Sequence, residues 1–165
     1  MTSLRSRWIL GALVCGLCWP LLGPVGWILG GPALALALRP ELGGRWVVVW
    51  LGNAIGVVIA TGVVLGVSFA VLGASEPWLA VWLAGAFVAG GALGLCHAVS
   101  IDRHRVSPGW FLAGGFAALP VSPFLLVSLA TSDVALGAAA GAGGGLLYGV
   151  ATSVPLVRST FGVRP

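Results

Sequence analysis

The sequence predicts an all-α, polytopic transmembrane bundle of about five helical spans, with six as the alternative, built from a degenerate internal repeat. Composition, segmentation and a recurring spacing predict it. The 165 residues are 59% hydrophobic and only 7% charged, where a soluble domain carries about 25% charged residues. The mean hydropathy is +1.09. Eight basic and four acidic residues cannot cover a surface that faces water, so most of that surface faces lipid. Charged residues cut the chain into five apolar segments, Trp8–Leu38, Trp46–Ser75, Pro77–Ile101, Val106–Ser132 and Val134–Val157. Each exceeds the roughly 20 residues that a helix needs to span about 30 Å of hydrocarbon. A barrel strand would need about ten residues of alternating polarity. The runs here are apolar on every side, and in lipid only a helix satisfies its own backbone. Residues 1–165 form a single transmembrane domain.

The first segment follows Arg5 and Arg7, and Ala35-Leu36-Ala37 imitates a signal-peptidase site. The apolar run is far longer than a signal-peptide core of about 7–15 residues, so it is expected to be retained. Pro and Gly interrupt it. A hairpin turning at Trp19-Pro20 or Gly23-Pro24 gives the six-span alternative, with arms of about 15 residues or about 22 Å. Cys15-x-x-Cys18 has a redox spacing, but its apolar setting lacks what makes a thiolate, and packing is the expected role.

The second segment opens with Trp46 and carries Asn53 one turn further in than Trp50. The third carries His97 five residues before Asp102, about 8 Å inside the span's edge. A histidine at that depth can ligate a haem or a chlorophyll-type pigment, relay protons, or bond a neighbouring helix. Asn53, His97 and Thr152 lie at similar depth, which predicts either one polar cluster or three separate side-chain-to-backbone bonds. The fourth segment contains Pro120 and Pro123, which remove backbone donors and predict a kink. The fifth presents Gly137, Gly141, Gly145 and Gly149 on one face, a glycine zipper about 18 Å long into which another helix backbone can sit. Trp8, Trp46, Trp78 and Trp110 open segments, where indoles favour the headgroup boundary.

The connections are short and fix the charge frame. Arg39 and Arg45, then Arg103 and Arg105, then Arg158 and Arg164 occupy alternate ends, while Glu76 and Asp133 occupy the others. Positive loops stay cytoplasmic, which puts the C-terminus inside a bacterial inner membrane. Five spans then put the N-terminus outside, against the vote of Arg5 and Arg7. Six spans remove that conflict. Arg103 and Arg105 are also candidates for contact with lipid headgroups or a partner.

A pattern repeats at an offset of 64 residues: Gly30, Ala33, Arg39 and Trp46 match Gly94, His97, Arg103 and Trp110; Gly149, Thr152 and Arg158, with the same internal spacing, begin a third copy. The stretches GGALGLCHAVSIDRHRVSPGWFLAGG, RWVVVWLGNAIG and GGGLLYGVATSVPLVR carry it. They resemble glycine-rich, repetitive, uncharacterised multi-pass membrane proteins of cyanobacteria and other phototrophs, whose repeat runs roughly GxxxGxxQ, an arginine-ended helix, then WxLANxxGW. The family's glutamine is His97 in one copy and Ala33 in another, and the loop's second tryptophan is missing. The resemblance implies architecture rather than chemistry, and a light-harvesting or electron-transfer complex as host.

No nucleic-acid stripe, nucleophile set, HExxH, P-loop or intramembrane acid is present. The expected function is a non-enzymatic accessory or scaffold subunit of a larger membrane complex. Its partners would be the lipid bilayer and other membrane subunits or a second copy, with no nucleic acid. The alternative is a small channel or carrier for a small solute, with its pore near Asn53, His97 and Thr152. No cofactor is required, and a pigment or haem enters only through His97.

Overall fold

The structure, a computed structural model, describes residues 3–71, 78–104 and 106–161. Glu76, Arg105 and Arg164 lie outside the described residues, as does the side chain of Trp78. Among the described residues every regular element is helical. The helices are α1 (Leu4–Leu17), α2 (Trp19–Leu22), α3 (Pro24–Leu36), α4 (Arg39–Leu42), α5 (Trp46–Val71), α6 (Trp78–Asp102), α7 (Pro108–Ala118), α8 (Ser122–Thr131) and α9 (Val134–Phe161). A 3-10 turn, Gly43–Arg45, joins α4 to α5. Three stretches are long and apolar enough to cross a membrane: Arg39–Ala70, Leu79–Asp102 and Val134–Arg158.

Local chemistry places the breaks. Ser3 caps α1 by accepting from the Ser6 amide at 3.2 Å, and the Asp133 carboxylate caps α9 through the Leu136 amide at 2.9 Å. The first apolar segment is not one helix. It stops after Leu17, makes the short α2, and restarts after Gly23, whose φ of +57° suits a residue without Cβ. Pro24 then opens α3 with its missing donor at a helix start. The segment Val106–Ser132 also breaks, between Ala118 and Ser122. Pro123 cannot donate to the Leu119 carbonyl, and the Ser122 hydroxyl donates there instead at 3.2 Å.

The helices close a ring in the order α1, α3, α5, α6, α7, α9 and back to α1, with α2 and α8 lying against α9. Neighbours run antiparallel throughout. Along α1, Gly11 meets Ala33 and Leu34 of α3, and Gly30 meets Cys15. Gly16, Ala12 and Ile9 of α1 meet Gly141, Gly145 and Gly149 of α9 in turn. Gly52 and Gly85 tie α5 to α6 at Ser100 and Val67, and Gly94 meets the Trp110 backbone of α7. At Gly16–Gly141 and at Gly90–Gly114 a Cβ would overlap a backbone carbonyl of the facing helix. These are the contacts for which small residues are needed in a membrane, where apolar burial alone does not drive helices together.

This ring brings Arg5, Arg7, Arg39, Arg45, Arg103 and Arg158 to one end, since α1 and α5 begin there and α3, α6 and α9 finish there. Arg7 of α1 pairs with Glu41 of α4 across that end. Asp133 lies at the other end, before α9.

Candidate functional site

The ring encloses a polar centre near the arginine end. Pro32 inside α3 has no amide hydrogen, so the Ile28 carbonyl one turn earlier loses its helical donor. The Trp50 indole of α5 donates to that carbonyl at 3.1 Å. Asn53, one turn further along α5, donates to the neighbouring Trp27 carbonyl at 3.0 Å, and the Cys15 thiol of α1 reaches the same oxygen at 3.2 Å. Two α3 carbonyls, one of them freed by Pro32, thus bond α5 and α1 to α3.

His97 of α6 is fully buried. Its Nδ1 lies 2.5 Å from the Tyr148 hydroxyl of α9, and its Nε2 has no partner among the described residues. The Trp8 ring of α1 meets the imidazole edge-on with centroids 5.6 Å apart, and meets Trp110 of α7 edge-on at 6.2 Å. The Trp8 indole donates to the Thr152 hydroxyl at 2.9 Å, and that hydroxyl donates to the Tyr148 carbonyl at 2.6 Å. His97 and Thr152 are therefore joined through Tyr148 and Trp8. Asn53 stands across a small chamber from His97 and bonds α3 instead.

No protein-family model matches the chain, and no curated protein or solved structure is similar to it.

The geometry of the centre bounds its chemistry. The chamber that His97 shares with Asn53, Tyr148, Trp27 and Cys15 measures about 10 Å³, the room of one water molecule. A haem or chlorophyll-type macrocycle does not fit beside His97. Among the described residues no three His, Cys, Asp or Glu side chains group to hold a metal. Asn53, His97 and Thr152 are each at most 1% exposed, so no open pore passes between them. The centre is built to bond helices.

The four glycines of α9 divide. Gly141, Gly145 and Gly149 lie against the α1 backbone. Gly137 is looser, with Trp19 and Ser128 beyond 3.5 Å of its Cβ position. Arg103 sits exposed at the arginine end, where its Nε donates to His104 Nε2 at 3.2 Å.

Three residues of the centre are absent from the sequence-based site. Trp8 and Trp110 are expected at a headgroup boundary, yet both are fully buried. Trp8 needs no water because Thr152 satisfies its N–H. Tyr148 is the single tyrosine of the chain, one turn before Thr152 on a helix otherwise rich in glycine and alanine. That isolation in mid-segment is the signal that marks it.

Proposed function

We propose that the protein is a multi-pass membrane protein that acts as a non-enzymatic accessory or scaffold subunit, associating laterally with a larger membrane complex or with its own copies. The observation that carries this reading is the outer face of α5. Val48, Leu51, Ile55, Val58, Ile59 and Phe69 are exposed along it, and at its centre Gly62 and Gly66 have nothing within 4 Å of their Cβ positions. Glycines at the inner seams lie against a neighbouring helix; this pair, at the same four-residue spacing, faces outward. A GxxxG notch on an apolar face allows close approach of another transmembrane helix.

The arginine end is cytoplasmic in this reading, by the positive-inside rule. The N-terminus then joins the C-terminus inside, and the chain crosses the membrane six times through α1–α2, α3, α5, α6, α7–α8 and α9. The equal depth of Gly30, Gly94 and Gly149, each nine residues before an arginine and each against a neighbouring helix, supports descent from one repeated unit. The similarity to repetitive phototroph membrane proteins favours a light-harvesting or electron-transfer complex as host. The sealed state of His97, Asn53 and Thr152 weighs against a channel or carrier.

The test is cross-linking in native membranes with Gly62→Cys, followed by sizing in mild detergent. Disulfide or bis-maleimide adducts are expected at Gly62→Cys and not at Gly143→Cys, also open but on α9. A Gly62→Ile/Gly66→Ile pair should reduce the assembly to a 16.6 kDa chain in its detergent belt. A Gly62→Cys protein that forms no adduct, together with a wild type that runs as a monomer, overturns the reading.

A further inference from the structure

On the far side of the polar centre from the arginines, the ring encloses a second cavity of about 220 Å³ that is open on one side. Its floor is Tyr148, Trp27 and Leu93, which also line the small chamber beside His97. Its walls run along α5 from Val57 to Leu65, about 12 Å of helix. The rim includes Trp19 of α2 and Leu125 of α8, which belong to the end opposite the arginines. The cavity therefore reads as a well that enters from that end and stops at mid-depth on Tyr148.

We propose that this well holds one hydrocarbon chain of a membrane lipid whose headgroup carries no net negative charge. Four features choose that occupant. Among the described residues no Arg, Asp, Glu or His lines the well, so a charged group inside it would lose its hydration without compensation. Residues 86–93 of α6, a helix that ends at Trp78 and Asp102, form one wall at the level of the bilayer core, where the surrounding solvent is acyl chain. Alanine and glycine at Ala60, Ala89, Gly114 and Gly144 leave a space larger than the roughly 150 Å³ apolar cavity that takes up a benzene ring. Finally, every described arginine lies at the opposite end, and the described charge nearest the rim is Asp133. An anionic headgroup would find no cation there. The well is separate from the α5 notch, so this inference stands whether or not the protein is a scaffold.

Native mass spectrometry of delipidated protein, back-titrated with dioleoyl phosphatidylcholine or dioleoyl phosphatidylglycerol, tests it. One phosphatidylcholine per chain should survive detergent stripping, at least fivefold in excess of phosphatidylglycerol. Ala89→Leu narrows the well and should remove that adduct, whereas Val58→Leu on the lipid-facing side of α5 should keep it. Ala60→Leu, on the opposite wall, serves where Ala89→Leu does not fold. A wild type without a retained lipid, a preference for phosphatidylglycerol, or adducts equal in the wall variants and in Val58→Leu each overturns the proposal.

Discussion

Single side chains decide how this bundle is bonded. In hydrocarbon a polar atom has no water to fall back on, so each donor needs a partner from another turn or helix. Thr152 illustrates the consequence, because its hydroxyl both accepts from Trp8 and donates to the Tyr148 carbonyl. Thr152→Val keeps the shape and leaves the Trp8 N–H buried without an acceptor. It should cost about 1–3 kcal/mol of stability, seen as a lower thermal unfolding midpoint in detergent, while Thr152→Ser stays near wild type. An unchanged midpoint for Thr152→Val would mean that the indole finds another acceptor. Asn53, His97 and Thr152 stand out in the sequence as polar residues at one depth, and two of them share a network. That Asn53 turns to the Trp27 carbonyl of α3 was not legible, since it depends on which helix packs beside α5.

At the scale of helices, glycine spacing is the informative feature, and its partner is what the sequence withholds. The run in α9 is legible as a packing face. Which helix fills it depends on the ring, which puts the N-terminal α1 against the C-terminal α9. Gly145 sits over the Ala12 carbonyl, so Gly145→Leu must push α1 away. It should destabilise the protein by more than the roughly 1–3 kcal/mol typical of an overpacked site, and carry off the Trp8–Thr152 bond with it. Gly62→Leu, by contrast, meets open space on α5 and should leave the unfolding midpoint of the isolated chain unchanged. Equal losses in the two variants would show that the α1–α9 seam is not tight. The proline breaks are partly legible in the same way. Pro120 and Pro123 announce the interruption of the fourth segment, whereas in the first segment Pro20, Gly23 and Pro24 offer several turning points and only packing selects among them.

For the whole molecule, the decisive fact is that every described arginine lies at one end. A segment running straight from Trp8 to Leu38 would put Arg7 and Arg39 at opposite ends; the doubling back at Trp19–Gly23 puts them together, and Arg7 reaches Glu41. A ring closed by antiparallel neighbours needs an even number of members, and the doubling back of the first segment supplies the extra one. Cysteines introduced at Ser3 and Ser132 report on this directly. With membrane-impermeant maleimide applied from outside, Ser132→Cys should label and Ser3→Cys should label only after permeabilisation. Labelling of both from the same face would contradict the hairpin.

The sequence by itself determined that this protein is helical and carries helices apolar enough to cross a membrane, because too few charges exist to cover a water-facing surface and its apolar runs are long. It also determined which faces carry small residues. Tertiary structure decided the rest: that the first segment folds back, that α1 rather than a foreign helix lies along the α9 glycines, and that Trp8 leaves the headgroup boundary for a bond with Thr152. Those outcomes depend on which helices become neighbours. In a membrane, neighbours are chosen by close backbone fit and a few polar bonds across 100 residues or more, and no local pattern in the chain records that choice.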